Sequence, residues 1–200
     1  MLVRTDPPQP SVNALANELT SAVKDGRLAK YLDQPVRSDR LTASAPHPFY
    51  ILNIDDIPGG DAAPANPPRR PSGWRYLLEV NRRPVAIATT AIDDGGAHHF
   101  EGIATGPAVS LLVYAIHVAD ELVSRRPELF RIAAIDVPAV HTVLLQLFDD
   151  TGENTAFLPI GLATSLHPAH LYSRAQIRAN LRRLATHVDA GRVPGAAVGG

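Results

Sequence analysis

The chain contains no cysteine. That single absence excludes disulfides, thiolate nucleophiles, cysteine-held zinc and iron–sulfur clusters. Lysine is almost missing too, with Lys24 and Lys30 standing against 17 arginines. Aromatic residues are 6% of the chain, and Trp74 is the single tryptophan. No long apolar run occurs: the longest, Leu111–Ile116, falls far short of the ~20 residues that a membrane-spanning helix needs. Neither charge sign dominates. The formal net charge of −1 argues against nucleic acid or an anionic membrane as a partner. The first ten residues set Arg4 and Asp6 among prolines and lack the apolar run of a signal peptide, so the expectation is a cytoplasmic protein.

What is present is ordinary for a globular protein: 45% hydrophobic and 20% charged residues. The bias to Arg, Ala, Pro and Gly suggests a GC-rich bacterial genome. Two hundred residues suit one domain, which at that size buries about 70% of its unfolded surface. Residues 1–10 read as a flexible N-terminal extension and 11–190 as a single domain. Within it 58–73 is a long Pro/Gly/Ala-rich loop, and 191–200 is a flexible tail.

Periodicity supplies the elements. Ser11 reads as an N-cap for a helix carrying Val12, Leu15, Leu19, Ala22 and Val23, ended by Pro35 at the latest. Phe49–Ile54 reads as a short strand. Trp74–Val80, Val85–Thr89 and His98–Ile103 form a meander, with turns at Asn81–Arg83 and Asp93–Gly96. Gly106-Pro107 opens a helix that places Arg125 and Arg126 at its C-terminal end. Leu129–Val137 is strand-like. Val140–Phe148 fits a helix or a strand; strand is preferred because a turn-rich stretch, Asp149–Asn154, leads to a partner at Ala156–Ile160. Ser173 and Gln176 form a capping-box pattern ahead of Ile177, Leu181, Leu184, Ala185 and Val188, with Gly191 as the stop. The expected fold is α+β: an antiparallel sheet of about five to seven strands with a central helix near 107–126, an N-terminal helix and a C-terminal helix. This element order is similar to that of profilin-like and roadblock-like domains, in which a central helix interrupts an antiparallel sheet. The resemblance implies architecture alone, with an extra strand in each half.

Candidate chemistry is sparse. His99 and Glu101, two apart on a strand, would share a face and form the catalytic candidate, a base with its orienting carboxylate. Their H-x-E spacing matches zinc deaminases in letters only, since the companion cysteines are absent. His167 and His170 could contribute to a metal site if Asp136, His141 or the His98–His99 pair converged on them; sequence does not decide that, and no metal or cofactor is assigned. Gly102–Pro107 lacks the P-loop lysine, so both its glycines are read as turn residues needing positive φ. Arg174, Arg178 and Arg182 recur at helical spacing and form the binding candidate for phosphate or nucleic acid; a solvated helix face is the simpler reading. His117 and His141 lie in apolar segments and are expected in or beside the core. The preferred function is a non-enzymatic protein-interaction or assembly role, by a protein partner or by self-association. The alternative is a small-molecule-binding protein or acid–base enzyme with a pocket beneath the 107–123 helix near His99, Glu101 and Tyr114. The weaker third is anion binding by the arginine stripe.

Overall fold

Seven strands form one sheet in the order β4-β3-β2-β1-β5-β6-β7. They are β1 (Leu41–Ile51), β2 (Gly73–Val80), β3 (Arg83–Ile92), β4 (His98–Ala104), β5 (Arg131–Val137), β6 (Thr142–Phe148) and β7 (Thr155–Ile160). The structure is a computed structural model and describes residues 1–32, 36–53, 70–151, 155–160, 166–167 and 169–189. The expected loop at 58–73 lies mostly outside the described residues, and the tail at 191–200 wholly so. All neighbouring strands run antiparallel except β1 and β5, which are parallel over Phe49↔Ala134, Tyr50↔Ile135 and Ile51↔Asp136. The fold is α+β, as expected: two antiparallel halves meet along a short parallel seam. Among the described residues no helix is long and apolar enough to cross a membrane.

A helix must carry the chain from edge strand β4 back to the middle of the sheet. That helix, α3 (Pro107–Val123), has 17 residues and so is about 25 Å long. Four strand steps span about 19 Å, which lets α3 lie across the sheet. Proline stands at its first position and Gly106, with φ 76°, precedes it. Gly102 has no positive φ; it lies within β4, so the turn explanation holds for Gly106 alone. The helix ends at Val123, short of Arg125 and Arg126.

Alternation along each strand sorts the core into two faces. Leu77, Ile87, Ile132, Leu145, Leu147 and Leu158 pack against α3 through Val109, Leu112, Ala115, Ala119 and Val123. On the other face α1 (Gln9–Lys24) sets Leu15 against Trp74, Tyr76, Leu78, Ala86 and Ala88. There too α4 (Arg174–Asp189) sets Ile177, Leu181 and Leu184 against Ile135, Val137, Leu144 and Phe157. Register places α1 and α4 on one side: Trp74 pairs with Pro48, two residues before Tyr50, which pairs with Ile135. A short helix, α2 (Arg27–Leu32), follows α1 and buries Leu28 completely.

Several local expectations change. The helix α1 begins at Gln9, with Pro10 in its first turn, so Ser11 is not its cap. Ser11 is fully buried instead, and its hydroxyl lies 2.7 Å from the Tyr76 hydroxyl and 2.6 Å from that of Thr90. This knot docks α1 on the sheet. Ser11→Ala is expected to cost about 1 kcal/mol, read as a lower urea midpoint with an unchanged m-value. The residues before α1, read as a flexible extension, make defined contacts: Leu2 bridges Phe130 in parallel and the Val3 amide donates to the Phe130 carbonyl at 2.7 Å. The β1 strand starts at Leu41, well before Phe49. Its first half escapes sequence reading because Ala45, at φ 46°, and Pro46 form a bulge between Ser44 and His47. The 142–148 segment is a strand paired with 155–160, and Pro138 begins a 3-10 turn before it. The capping box is reciprocal: the Ser173 amide donates to Gln176 Oε1 at 2.8 Å, and the Gln176 amide donates to Ser173 Oγ at 3.3 Å. The calls on Val188 and Gly191 lie outside the described side chains and residues respectively.

Candidate functional site

His99 and Glu101 are exposed on β4, an edge strand. The register shifts there, from Thr90↔Phe100 to Thr89↔Gly102, so Glu101 is the extra residue of a bulge. The simple two-residue alternation that would align it with His99 is interrupted. Neither side chain lines the cavities described below. The neighbouring His98 is half-buried; burial, then Arg70, lowers its pKa. Arg174, Arg178 and Arg182 are half-buried along the flank of α4. His167 and His170 belong to a turn closed by its own bonds. The Ala169 amide donates to His167 Nδ1 at 3.3 Å, and the His170 ring meets Tyr172 edge-on at 4.8 Å. No cluster of three or more His, Asp or Glu that could hold a metal occurs among the described residues. His117 and His141, expected near the core, are both exposed. His117 pairs with Glu121 one turn on at 3.2 Å, and His141 ends the 3-10 turn with φ 48°.

Among the described residues the buried histidine is His47. Its Nδ1 lies 2.8 Å from the Ala45 carbonyl oxygen, so this nitrogen carries the hydrogen and Nε2 is the acceptor. Nε2 is buried with no hydrogen-bond partner among the described residues. Burial depresses the His47 pKa to about 4; the Ala45 bond raises it, Arg75 lowers it and Asp136 raises it by smaller amounts. Arg75 stands directly across from His47 on β2. Its guanidinium reaches over β1 to Asp136 on β5 with two bonds, 2.9 and 2.5 Å, and rests 4.8 Å from the centre of the Phe49 ring. Phe49 in turn lies over Gly73, where a Cβ would come 2.5 Å from the ring and 1.9 Å from the Thr90 carbonyl oxygen. Glycine is therefore required at 73 by space, not by φ. His47, Phe49, Arg75 and Asp136 together span the parallel seam on the α3 face.

One helix cannot cover a seven-strand face, and hollows remain on both sides of α3. The smaller, about 200 Å³, has Arg75 and Thr89 among apolar walls from Ile87, Leu111, Leu112 and Ile160. The larger, about 490 Å³, lies between the C-terminal half of α3, the starts of β1 and β3, the end of β2 and residues Leu2–Arg4. Its floor is Leu77, Val113, Ile116 and Ile132, and its polar groups include Ser44, Glu79, His117 and Asp120. The Ser44 hydroxyl donates to Glu79 Oε1, and Asp120 Oδ1 accepts the Leu2 amide at 3.3 Å. His99, Glu101 and Tyr114, the residues named with a pocket beneath this helix, line neither hollow. On α3 itself Tyr114 and Leu122 remain exposed to 46% and 39%, either side of buried Val118. No family model, curated protein or solved structure matches the chain.

Proposed function

We propose that this protein acts by binding another protein, as an adaptor or accessory subunit, and that α3 presents the contact. The observation that carries the reading is the row Tyr114, Val118 and Leu122. Residues four apart form the ridge by which helices pack against one another. Here the two outer members of that ridge are large, apolar and open to water. Leu129, 50% exposed shortly after the helix, adds apolar surface at its C-terminal end. Removing such surface from water contributes about 25 cal/mol per Å².

The test is retrieval from cells of the source organism by the tagged chain, with Tyr114→Arg/Leu122→Arg run in parallel. The wild type is expected to retain at least one protein in near-stoichiometric amount, or a second copy of itself, that the double variant does not. Equal retention by both, or a wild type that is monomeric by light scattering and retains nothing, overturns the proposal. Both substituted residues are exposed, so the variant's thermal unfolding should stay close to that of the wild type.

A further inference from the structure

We infer that the 490 Å³ groove beside α3 binds a small organic cation, an amine with an apolar or aromatic body whose ammonium group meets Glu79. This site goes beyond the protein-binding role and does not rest on it. The volume lies within the range of small-molecule pockets. The floor of Leu77, Val113, Ile116 and Ile132 suits an apolar body. The head group is decided by charge. Glu79 is half-buried at the groove wall; Ser44 donates to it, and no cation pairs with it among the described residues. A ligand that covers it removes more water from its carboxylate. An anionic head leaves that loss uncompensated and repels the carboxylate, and a neutral hydroxyl returns one hydrogen bond without a charge, whereas an ammonium supplies both hydrogen bonds and the opposite charge. Asp120 adds a second carboxylate to the rim, and the opposing charge there, Arg4, is exposed.

The wall is also held in shape. Ala45 keeps a left-handed backbone at the β1 bulge, and its carbonyl is tied to the fully buried His47. Such bulges bend a strand locally, and a non-glycine residue at positive φ persists only where its surroundings over-determine it. Here the surroundings are the core beneath the groove.

Three probes that share one body test the charge rule: 4-phenylbutylamine, 4-phenylbutanol and 4-phenylbutanoate. Each is titrated into the ¹⁵N-labelled full chain. Saturable amide shifts are expected with the amine at Ser44, Leu77, Glu79 and Ile116, with the butanoate weaker by about tenfold or more. Glu79→Gln should erase the preference for the amine, and Ile116→Trp should fill the groove and abolish binding. Tyr114→Arg/Leu122→Arg should leave amine binding intact, which separates this site from the protein-binding surface. Equal binding of amine and butanoate, shifts mapping elsewhere, or an amine affinity unchanged by Glu79→Gln would each overturn the proposal. Should Glu79→Gln fail to fold, Ile116→Trp decides alone: retained amine binding overturns it.

Discussion

Arg75→Met is expected to destabilise the fold by about 2–3 kcal/mol, far more than loss of a surface ion pair. The Arg75 and Asp136 side chains are 20% and 21% exposed, so water screens them only in part. Exposed pairs contribute about 0–1 kcal/mol, and breaking a buried one costs about 3–5 kcal/mol. The two-pronged geometry and the Phe49 ring under the guanidinium place this pair nearer the second limit. Position raises its importance. The halves of the sheet share a parallel seam of three residue pairs, and Arg75–Asp136 bridges it from β2 to β5. Methionine keeps most of the aliphatic stem and removes the guanidinium, so the variant loses the ion pair and the cation–π contact with Phe49 together. Asp136→Leu should cost a similar amount, and Arg75→Met/Asp136→Leu should recover much of either loss, because no lone charge is left behind. Urea unfolding of the four proteins measures the coupling. Single variants within about 0.5 kcal/mol of the wild type would remove the seam from the account of stability.

Acid should weaken the native state through His47. Its folded pKa is about 4 against 6.5 for the ordinary group. Between those values the unfolded chain binds a proton that the folded chain does not, so stability falls as pH falls from 6.5 towards 4. The full difference corresponds to about 3 kcal/mol. Burial is the dominant cause. The charged groups facing the ring oppose each other, with Arg75 disfavouring the imidazolium and Asp136 favouring it. His47→Gln retains a donor for the Ala45 carbonyl and cannot titrate. Its unfolding free energy should therefore decline less between pH 7.5 and 4 than that of the wild type, by about 3 kcal/mol. The carboxylates common to both proteins cancel in the comparison. Parallel losses in the two proteins would show that His47 is solvated in the folded state.

The legible parts of this chain are those whose physics is local. The Ser173–Gln176 cap, the proline start of α3 and the 80–83 hairpin, with Asn81 and Arg82 at positive φ, each depend on a few adjacent residues. A strand within 140–148 follows from the turn and partner after it, which is also short-range. The first half of β1 was illegible because a bulge breaks the alternation by which strands are recognised. The same device at Glu101 upset the expected His99–Glu101 alignment.

The histidines make the limit plain. His117 and His141 have apolar neighbours in sequence yet are exposed, since a helix flank and a turn end point outward whatever surrounds them in the chain. His47 stands between two prolines and is fully buried, because β1 lies at the centre of the sheet beneath α3. By itself the sequence determined composition-level exclusions, the α+β class, most strand and helix positions and the central placement of α3. Only the tertiary structure decided the parallel seam, the Arg75–Asp136 bridge across a separation of 61 residues, and the carboxylate-walled groove. The reason is register: periodicity assigns each side chain to a face, but strand order and pairing choose which distant side chains meet there.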